Sequence, residues 1–498
     1  MRSTYVPRFA LGAILAVTVA AGIACDSAKT GSTSPTANDG KVPLTTKSED
    51  ARKEYLQGRD LSEKLLAQDS LQHFDKAIAL DPDFATAELA RANNSPTAKE
   101  FFEHLNKAVA LADKASDGEK LFILANQAGA NGDVPKQKDY LDKLIAAYPN
   151  DERAQFTVGN YYFGQQDYSS AIEHYKKATE LAPNYSPAYN ILGYAYRQQN
   201  DYSNAEQAFK KYVELIPNDP NPYDSYGELL LKMGKFDDSI VQYRKALSID
   251  PHFVPSHFGI SADLTYMGKP QDAEAELSKM LEQARNDGEL RTAYFGLAVV
   301  ATDSGKLEKA LQQMDKEYAI AEKKNDMASM SADLQAKGNI LAEMQKYDDA
   351  NQQFERSLKL VEDSDLSPEI KDNAKLLHHY NLTALAIGKK DYTAAKAHAE
   401  EFRQGAEASK NPAQVKLAHE LAGRIALAQK DYGKATAELE QSNLQDPRNL
   451  YRLGQAYDGK GDHAKAQEFY SNAAKFNSLP ALNYAFVRTK AEKLAKKA

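Results

Sequence analysis

Hydrophobic and polar residues are distributed along this chain in three ways. Phe9 to Ala24 is an unbroken uncharged apolar run preceded by Arg2 and Arg8, the layout of a secretory signal peptide over residues 1–24. The run is shorter than the roughly 20 residues that a membrane-spanning helix needs. Residues 26–47 show no apolar period and are rich in Ser, Thr, Gly, Pro and Asn, which predicts a flexible tether over 25–47. From residue 48 onward apolar residues recur three and four apart in paired stretches, and the pairs recur about every 34 residues. In the window that starts at Ser186, Tyr189, Leu192, Gly193 and Tyr196 take positions 4, 7, 8 and 11, while Ala205, Phe209, Tyr212 and Pro217 take positions 20, 24, 27 and 32. The first four share one face of a first helix and Ala205, Phe209 and Tyr212 one face of a second, so the two faces bury each other.

Two backbones in such close contact need small residues between them. Position 8 holds Gly58, Ala125, Gly159, Gly193, Gly227, Ser261, Ala298, Gly338, Thr383, Gly423 and Gly454. Position 20 holds Ser70, Gln137, Ala171, Ala205, Ser239, Ala273, Ala310, Ala350, Ala395, Ala435 and Ala466, where only Gln137 breaks the rule. The pattern resembles the tetratricopeptide repeat, with Tyr189 standing where that family has Trp and Tyr212 where it has Ala. The resemblance implies an all-α fold, a right-handed superhelical α-solenoid of about 11–12 helix-turn-helix units over residues 48–479. Within it, 85–117 reads as a degraded unit, and a basic helix at 480–498 is expected to cap the array. Corners containing Asp before Ala171, Ala205, Ser239 and Ala395 are expected to cap the second helices, and Pro82, Pro149, Pro183, Pro217, Pro251 and Pro447 to end them.

With 42% hydrophobic and 27% charged residues the chain can bury a core, and a net charge of -8 argues against a nucleic-acid partner. A single cysteine leaves no disulfide framework and no Cys-rich metal site. That residue, Cys25, directly follows Gly22-Ile23-Ala24. The stretch resembles a bacterial lipobox, with Gly22 departing from the usual Leu. The resemblance implies lipidation at Cys25 and a protein anchored through its N-terminal lipid in the bacterial cell envelope, facing the periplasm. Asp26 after the cysteine hints at retention in the inner membrane, and the choice between inner and outer membrane stays open.

Catalytic chemistry finds little support. His378 and His379 are adjacent, so on a helix they point about 100° apart and cannot share one ion. Gly259-Ile260-Ser261-Ala262-Asp263 lacks the second glycine of a nucleophile elbow, and Ser261 falls on the packing position 8. Asp458 and Asp462 in DGKGD lack the spacing of a calcium loop and read as a turn between helices. No glycine-rich phosphate motif is present. No catalytic residue, metal or cofactor is expected, and the protein is not expected to be an enzyme.

By the same resemblance, function resides on the concave face of the first helices, mainly at positions 2, 5, 9, 12 and 13. Those positions carry Phe156, Asn160 and Phe163, then Asn190, Tyr194 and Arg197, then Asp224 and Glu228, then Phe258 and Tyr266. Tyr194, Arg197 and Tyr266 are expected to be exposed there, most other tyrosines falling on packing positions. The family's terminal-carboxylate clamp needs Lys, Arg and Asn where this chain has Phe156, Ile191, Asn221 and Ser225, or Gln335, Leu417 and Leu421 in a later trio. The expected function is a non-catalytic, membrane-tethered scaffold that binds segments of other envelope proteins or peptides in its groove. The alternative is capture of a glycan or small ligand for an importer, by analogy with helical-repeat glycan-binding lipoproteins. Those carry stacking aromatics in a non-repeat portion, whereas this chain contains no Trp.

Overall fold

Each paired stretch folds as two antiparallel helices. A computed structural model describes residues 40–496, so the expected signal peptide, Cys25 and residues 26–39 of the expected tether lie outside the described residues. The pairs are α1 (Glu49–Glu63) with α2 (Ala67–Leu80), α3 (Ala85–Asn93) with α4 (Ala98–Leu111), α5 (Asp117–Asn131) with α6 (Val134–Ala147), and α7 (Glu152–Gly164) with α8 (Tyr168–Leu181). They continue with α9 (Ser186–Gln198) and α10 (Tyr202–Leu215), α11 (Pro220–Lys232) and α12 (Phe236–Ile249), α13 (Val254–Tyr266) and α14 (Pro270–Gln283), and α15 (Asp287–Asp303) and α16 (Leu307–Lys323). The last are α17 (Met327–Glu343) and α18 (Tyr347–Glu362), α19 (Pro368–Gly388) and α20 (Tyr392–Ser409), α21 (Pro412–Ala428) and α22 (Tyr432–Leu439), and α23 (Pro447–Gly459) and α24 (His463–Ala474). Two short helices follow, α25 (Leu482–Ala485) and α26 (Arg488–Ala495). The described chain is thus an all-α array of tandem pairs. It divides into two units within α11, one ending at Ser225 and one starting at Tyr226. No helix among the described residues is long and apolar enough to cross a membrane.

The contact between position 8 and position 24 sets how closely each pair packs. A Cβ added to Gly58, Gly159, Gly193, Gly227, Gly338 or Gly454 would come within 3.0 Å of the ring of Phe74, Tyr175, Phe209, Tyr243, Phe354 or Tyr470. These rings are buried, a gain of roughly 1.5–3 kcal/mol each. Position 20 is closed by fully buried Ala171, Ala205, Ala273, Ala310, Ala350, Ala395 and Ala435. The exception at Gln137 is compensated across the pair, because its amide occupies the space where a Cβ on Gly129 would lie, 2.6 Å away.

The corners follow one design with informative departures. Asp167, Asp201 and Asp391 accept from the amides of Ser170, Asn204 and Ala394 at 3.1, 3.1 and 3.0 Å, as capping carboxylates should. The corner before Ser239 differs: Lys235 takes the N-cap position and Asp237 and Asp238 fall in the first turn. The residue before the cap turns the chain in the left-handed region, as Gln166, Asn200, Lys390 and Lys430 do at φ near 60° and Gly234 and Gly461 do at 74° and 81°. Pro82, Pro149, Pro183, Pro217 and Pro251 each stand two residues beyond a second helix. Pro447 does not: it is the first residue of α23, capped by Asp446, a position where a missing amide costs nothing.

Both ends of the described chain correct the sequence reading. Residues 41–47, expected to be part of the flexible tether, pack against the first repeats. Val42 is buried and its amide donates to Asp151 (2.9 Å), the Thr45 amide donates to Glu119 (3.0 Å), Thr46 Oγ1 donates to Asp81 (2.5 Å) and Ser116 Oγ donates to the Pro43 carbonyl (3.1 Å). Asp151 and Glu119, which cap the N-termini of α7 and α5, have lone pairs to spare after capping, which lets them hold passing backbone. At the other end, the single capping helix expected over 480–498 is two short helices, and Arg488 and Ala491 of the second are buried.

One core position is polar. Position 10 is apolar and buried in the repeats of Ala195, Leu229, Val300, Ile340, Leu385, Ile425 and Ala456, but α13 places Asp263 there, 0% exposed. Neither carboxylate oxygen has a hydrogen-bond partner, and the neighbouring Ser239 hydroxyl donates to the Gly227 carbonyl instead (2.8 Å). Burial, with Asp237 adding to it against an opposing pull from Ser239, pushes the Asp263 carboxyl up to about 8. The folded state therefore keeps a proton that the unfolded chain releases near pH 4, and stability falls as pH rises from about 4 through about 8. Asp263→Leu is expected to raise stability at pH 7.5 by about 1–3 kcal/mol and to flatten this slope in thermal melts followed by circular dichroism. An unchanged slope would show that Asp263 does not generate it.

Candidate peptide-binding surface

The residues expected to line a binding groove are mostly inside the protein. Phe156, Asn160, Phe163, Asn190, Tyr194, Arg197, Asp224, Glu228 and Phe258 are each at most 6% exposed, and Tyr266 alone of the set is half-buried. In the unit ending at Ser225 the chain covers its own groove. Glu63 at the end of α1 reaches Arg153 of α7 (3.5 Å), and Lys64 stands 4.0 Å from Asp219 just before α11. Beneath them the Arg153 guanidinium lies 4.8 Å above the Tyr185 ring, and Phe156 packs against Tyr175 and Tyr185 at 5.7 and 5.4 Å. Asn160 accepts from the Tyr175 hydroxyl (2.7 Å), and Phe163 meets Tyr168 at 5.3 Å. The expectation that Tyr194 and Arg197 are exposed is overturned. Tyr194 is 1% exposed, edge-on to Phe209 at 5.2 Å, with the Arg197 guanidinium 4.6 Å above its ring. In the second unit Phe258 packs over Gly296 of α15, whose Cβ would lie 3.0 Å from it.

A different stripe is used instead. Position 13 of four consecutive repeats holds Lys232, Tyr266, Asp303 and Glu343, the last turns of α11, α13, α15 and α17, and all four grip the segment after α24. Lys232 Nζ donates to the Phe476 carbonyl (2.6 Å) and lies 4.0 Å above its ring. The Tyr266 hydroxyl donates to the Ser478 carbonyl (2.5 Å), its ring meets Tyr484 at 5.3 Å, and the Arg488 guanidinium stands 5.3 Å over it. Asp303 accepts a fork from Arg488, Nε at 2.7 Å and Nη2 at 2.5 Å, and Glu343 pairs with Lys490. Phe486 and Val487 enter an apolar cluster with Ala298, Ala301, Ala310, Met314 and Ile340. Of this stripe the sequence reading named only Tyr266. The signal that would have found the rest is the shared repeat position, since the four residue types have nothing else in common.

Polar residues at other family ligand positions satisfy one another. Glu420 and Arg424 occupy positions 5 and 9 of one repeat, Arg448 and Arg452 positions 2 and 6 of the next. Arg452 Nη1 lies 2.8 Å from Glu420, Arg424 Nη1 3.4 Å, and the Tyr380 hydroxyl donates to the same carboxylate at 2.5 Å. Against the cost of burial, Arg452, Arg448 and Arg424 hold the Glu420 carboxyl well below the usual carboxylate range. An internal acid thus occupies the cations that an external one would seek.

Histidine has a recurring structural use. Residues 19 apart at positions 4 and 23 bridge the two helices of a pair: Glu54 with His73 (2.7 Å), Gln155 with His174 (2.8 Å), His257 with Glu276 (2.6 Å) and His419 with Glu438 (2.8 Å). Between α19 and α20 the same rung is His379 with His398, Nδ1 to Nδ1 at 3.3 Å. Burial, and then the neighbouring His379, lower His378 and His398 below the ordinary histidine value.

Models of the family described as tetratricopeptide repeat match residues 122–186, 156–220 and 263–325, and a second such model matches 221–253 and 447–478. Residues 122–253, 263–325 and 447–478 are tetratricopeptide repeats. Such repeats bind proteins or peptides, so a protein-interaction scaffold is the coarse function they carry. Among solved structures of similar repeats is MamA, with 26% identity over 32% of this chain and 94% of that one and a TM-score of 0.28. A tetratricopeptide repeat protein from Parabacteroides merdae has 14% identity over 57% of this chain and 99% of that one, TM-score 0.35. YrrB, described as a repeat protein with an unusual peptide-binding site, has 21% identity over 39% and 96%, TM-score 0.25. No curated protein matches the chain.

Two outcomes follow from the buried repeat residues. Tyr194→Ala is expected to lower stability by about 3 kcal/mol in denaturant unfolding, as loss of a core aromatic does; a neutral result would return Tyr194 to an exposed surface. For His378 and His398, a depressed value means stability present above the ordinary histidine pKa and lost as pH falls through the folded one. This slope opposes that of Asp263, so it is read in the Asp263→Leu chain, whose melting temperature is expected to drop between pH 7.5 and pH 5. His398→Glu, which recreates the His–Glu rung of the neighbouring repeats, is expected to reduce the drop.

Proposed function

We propose that this protein is a lipid-anchored scaffold of the bacterial cell envelope, without catalytic activity, that binds segments of other proteins along its tetratricopeptide repeats. The observation that carries the binding part is the position-13 stripe. It holds a stretch of chain that is not helical at Phe476–Ser478 through donors aimed at backbone carbonyls, contacts that suit an extended peptide because they depend little on its side chains. The anchoring part rests on the signal-like run Phe9–Ala24 and on Cys25 after Ile23 and Ala24. Two acyl chains would be needed for stable attachment, since a single chain binds a membrane only marginally.

The test joins both parts. In the native host, Cys25→Ser is expected to shift the protein from the membrane to the soluble fraction and to abolish the lipid mass on its N-terminal peptide. Unchanged fractionation would remove the anchor. A photo-crosslinking residue placed at Glu343, 31% exposed at the end of the stripe, is expected to capture a discrete set of envelope proteins, each identified by mass spectrometry. Crosslinks only within the chain itself, with Arg488→Glu added as well as without it, would remove the scaffold.

A further inference from the structure

We infer that the position-13 stripe recognises a partner segment of the same chemistry as the one it already holds: an extended apolar stretch followed by an aromatic residue with an arginine four residues on. Residues Phe476–Lys490 occupy that surface in cis and must leave before such a partner binds. This rests on the scaffold reading above and names the chemistry of its partner.

The stripe has a polarity that fixes the direction of its occupant. Lys232 and Tyr266 donate to backbone carbonyls at one end, while Asp303 and Glu343 accept from cations at the other. Between them Tyr484 and Arg488, four residues apart, both meet the Tyr266 ring, Tyr484 in an edge contact and Arg488 lying over it. The requirement for arginine comes from Asp303. The pair is nearly dry, 9% and 6% exposed, and the carboxylate takes two parallel bonds from one guanidinium, a geometry that a lysine ammonium cannot supply. A partner lacking arginine would leave Asp303 buried and uncompensated, which costs more than the pair itself contributes. Phe486 and Val487 add the apolar anchor.

The cis occupant is short. Its two helices have 4 and 8 residues, too few to be stable without the surfaces they pack on. Ala491 of α26 also packs on Leu450, Ala473 and Ala474 of α23 and α24, and the segment is joined to α24 by residues 475–481, which contain Pro480 and a left-handed Asn477 at φ 47°. A segment on so short a connection acts at an effective concentration in the millimolar range. A trans partner of equal chemistry therefore binds weakly until the cis contact is weakened.

The probe is a fluorescein-labelled synthetic peptide of residues 475–496, added to the full chain and followed by fluorescence anisotropy. The Arg488→Glu chain is expected to bind it at least tenfold more tightly than the wild-type chain. A peptide that itself carries Arg488→Glu is expected not to bind. The double variant D303R/R488E, which restores opposite charges in cis, is expected to return to the wild-type level. An Arg488→Glu chain with wild-type helicity that binds the peptide no more tightly than wild type would overturn the proposal, leaving the segment as permanent core. Should that variant lose helicity, Arg488→Lys keeps the charge without the fork, and is expected to bind the peptide more tightly than wild type; no gain would equally overturn it. Envelope proteins crosslinked at Glu343 alongside a peptide that fails to bind would leave the scaffold standing and remove only this partner chemistry.

Discussion

Six of the helix pairs are built on a ring lying on a missing side chain. Where position 8 is glycine and position 24 aromatic, the ring comes so close that even a methyl group would collide with it. That contact sets the separation of the two helices, and the separation decides which neighbouring positions can reach each other. Alanine at position 20 and the rung between positions 4 and 23 are possible only because the backbones are already close. The glycines carry a helix-propensity cost of about 1 kcal/mol each, and the buried rings outweigh it.

Close packing within pairs also explains where the concave residues went. Positions 5 and 9 face the groove in a repeat taken alone, and a helical wheel can see no further than that. In the chain, Glu63 at the end of α1 reaches Arg153 of α7, and Arg153 and Tyr185 form a second layer over Phe156. The same closure occurs in the second unit with a different covering piece, the segment after α24. Groove residues are thus split between those that became core and those, at position 13, that meet the covering chain with their ends.

The fold was legible because its signals are local and repeated: the small residues at positions 8 and 20, the Asp caps at Asp167, Asp201 and Asp391, and prolines such as Pro183 each act within one pair. The candidate surface was legible only at Tyr266. Tyr194 and Arg197 were read as exposed because a wheel of the first helix alone does not show that Phe209, at position 24 of the second helix, meets the edge of the Tyr194 ring while Arg197, one turn on, lies over it. Pro447 was read as a stop when its local chemistry, Asp446 before it, already marks a start. Residues 41–47 were read as tether from their composition, yet their partners are capping carboxylates such as Glu119 and Asp151, far away in sequence. Gln137 was read as a violation because the compensating Gly129 lies at no signature position.

The Arg488–Asp303 contact has a meaning for the order of assembly. Rings and glycines such as Phe209 and Gly193 are neighbours in sequence, whereas Arg488 and Asp303 are 185 residues apart. Short loops close fast and long ones late, and a chain made from its N-terminus cannot close this one until Arg488 has been made. Every new molecule accordingly passes through a period in which its helix pairs are built and the stripe from Lys232 to Glu343 is bare. The surface is open once in each molecule's life, before the segment after α24 has arrived to compete for it.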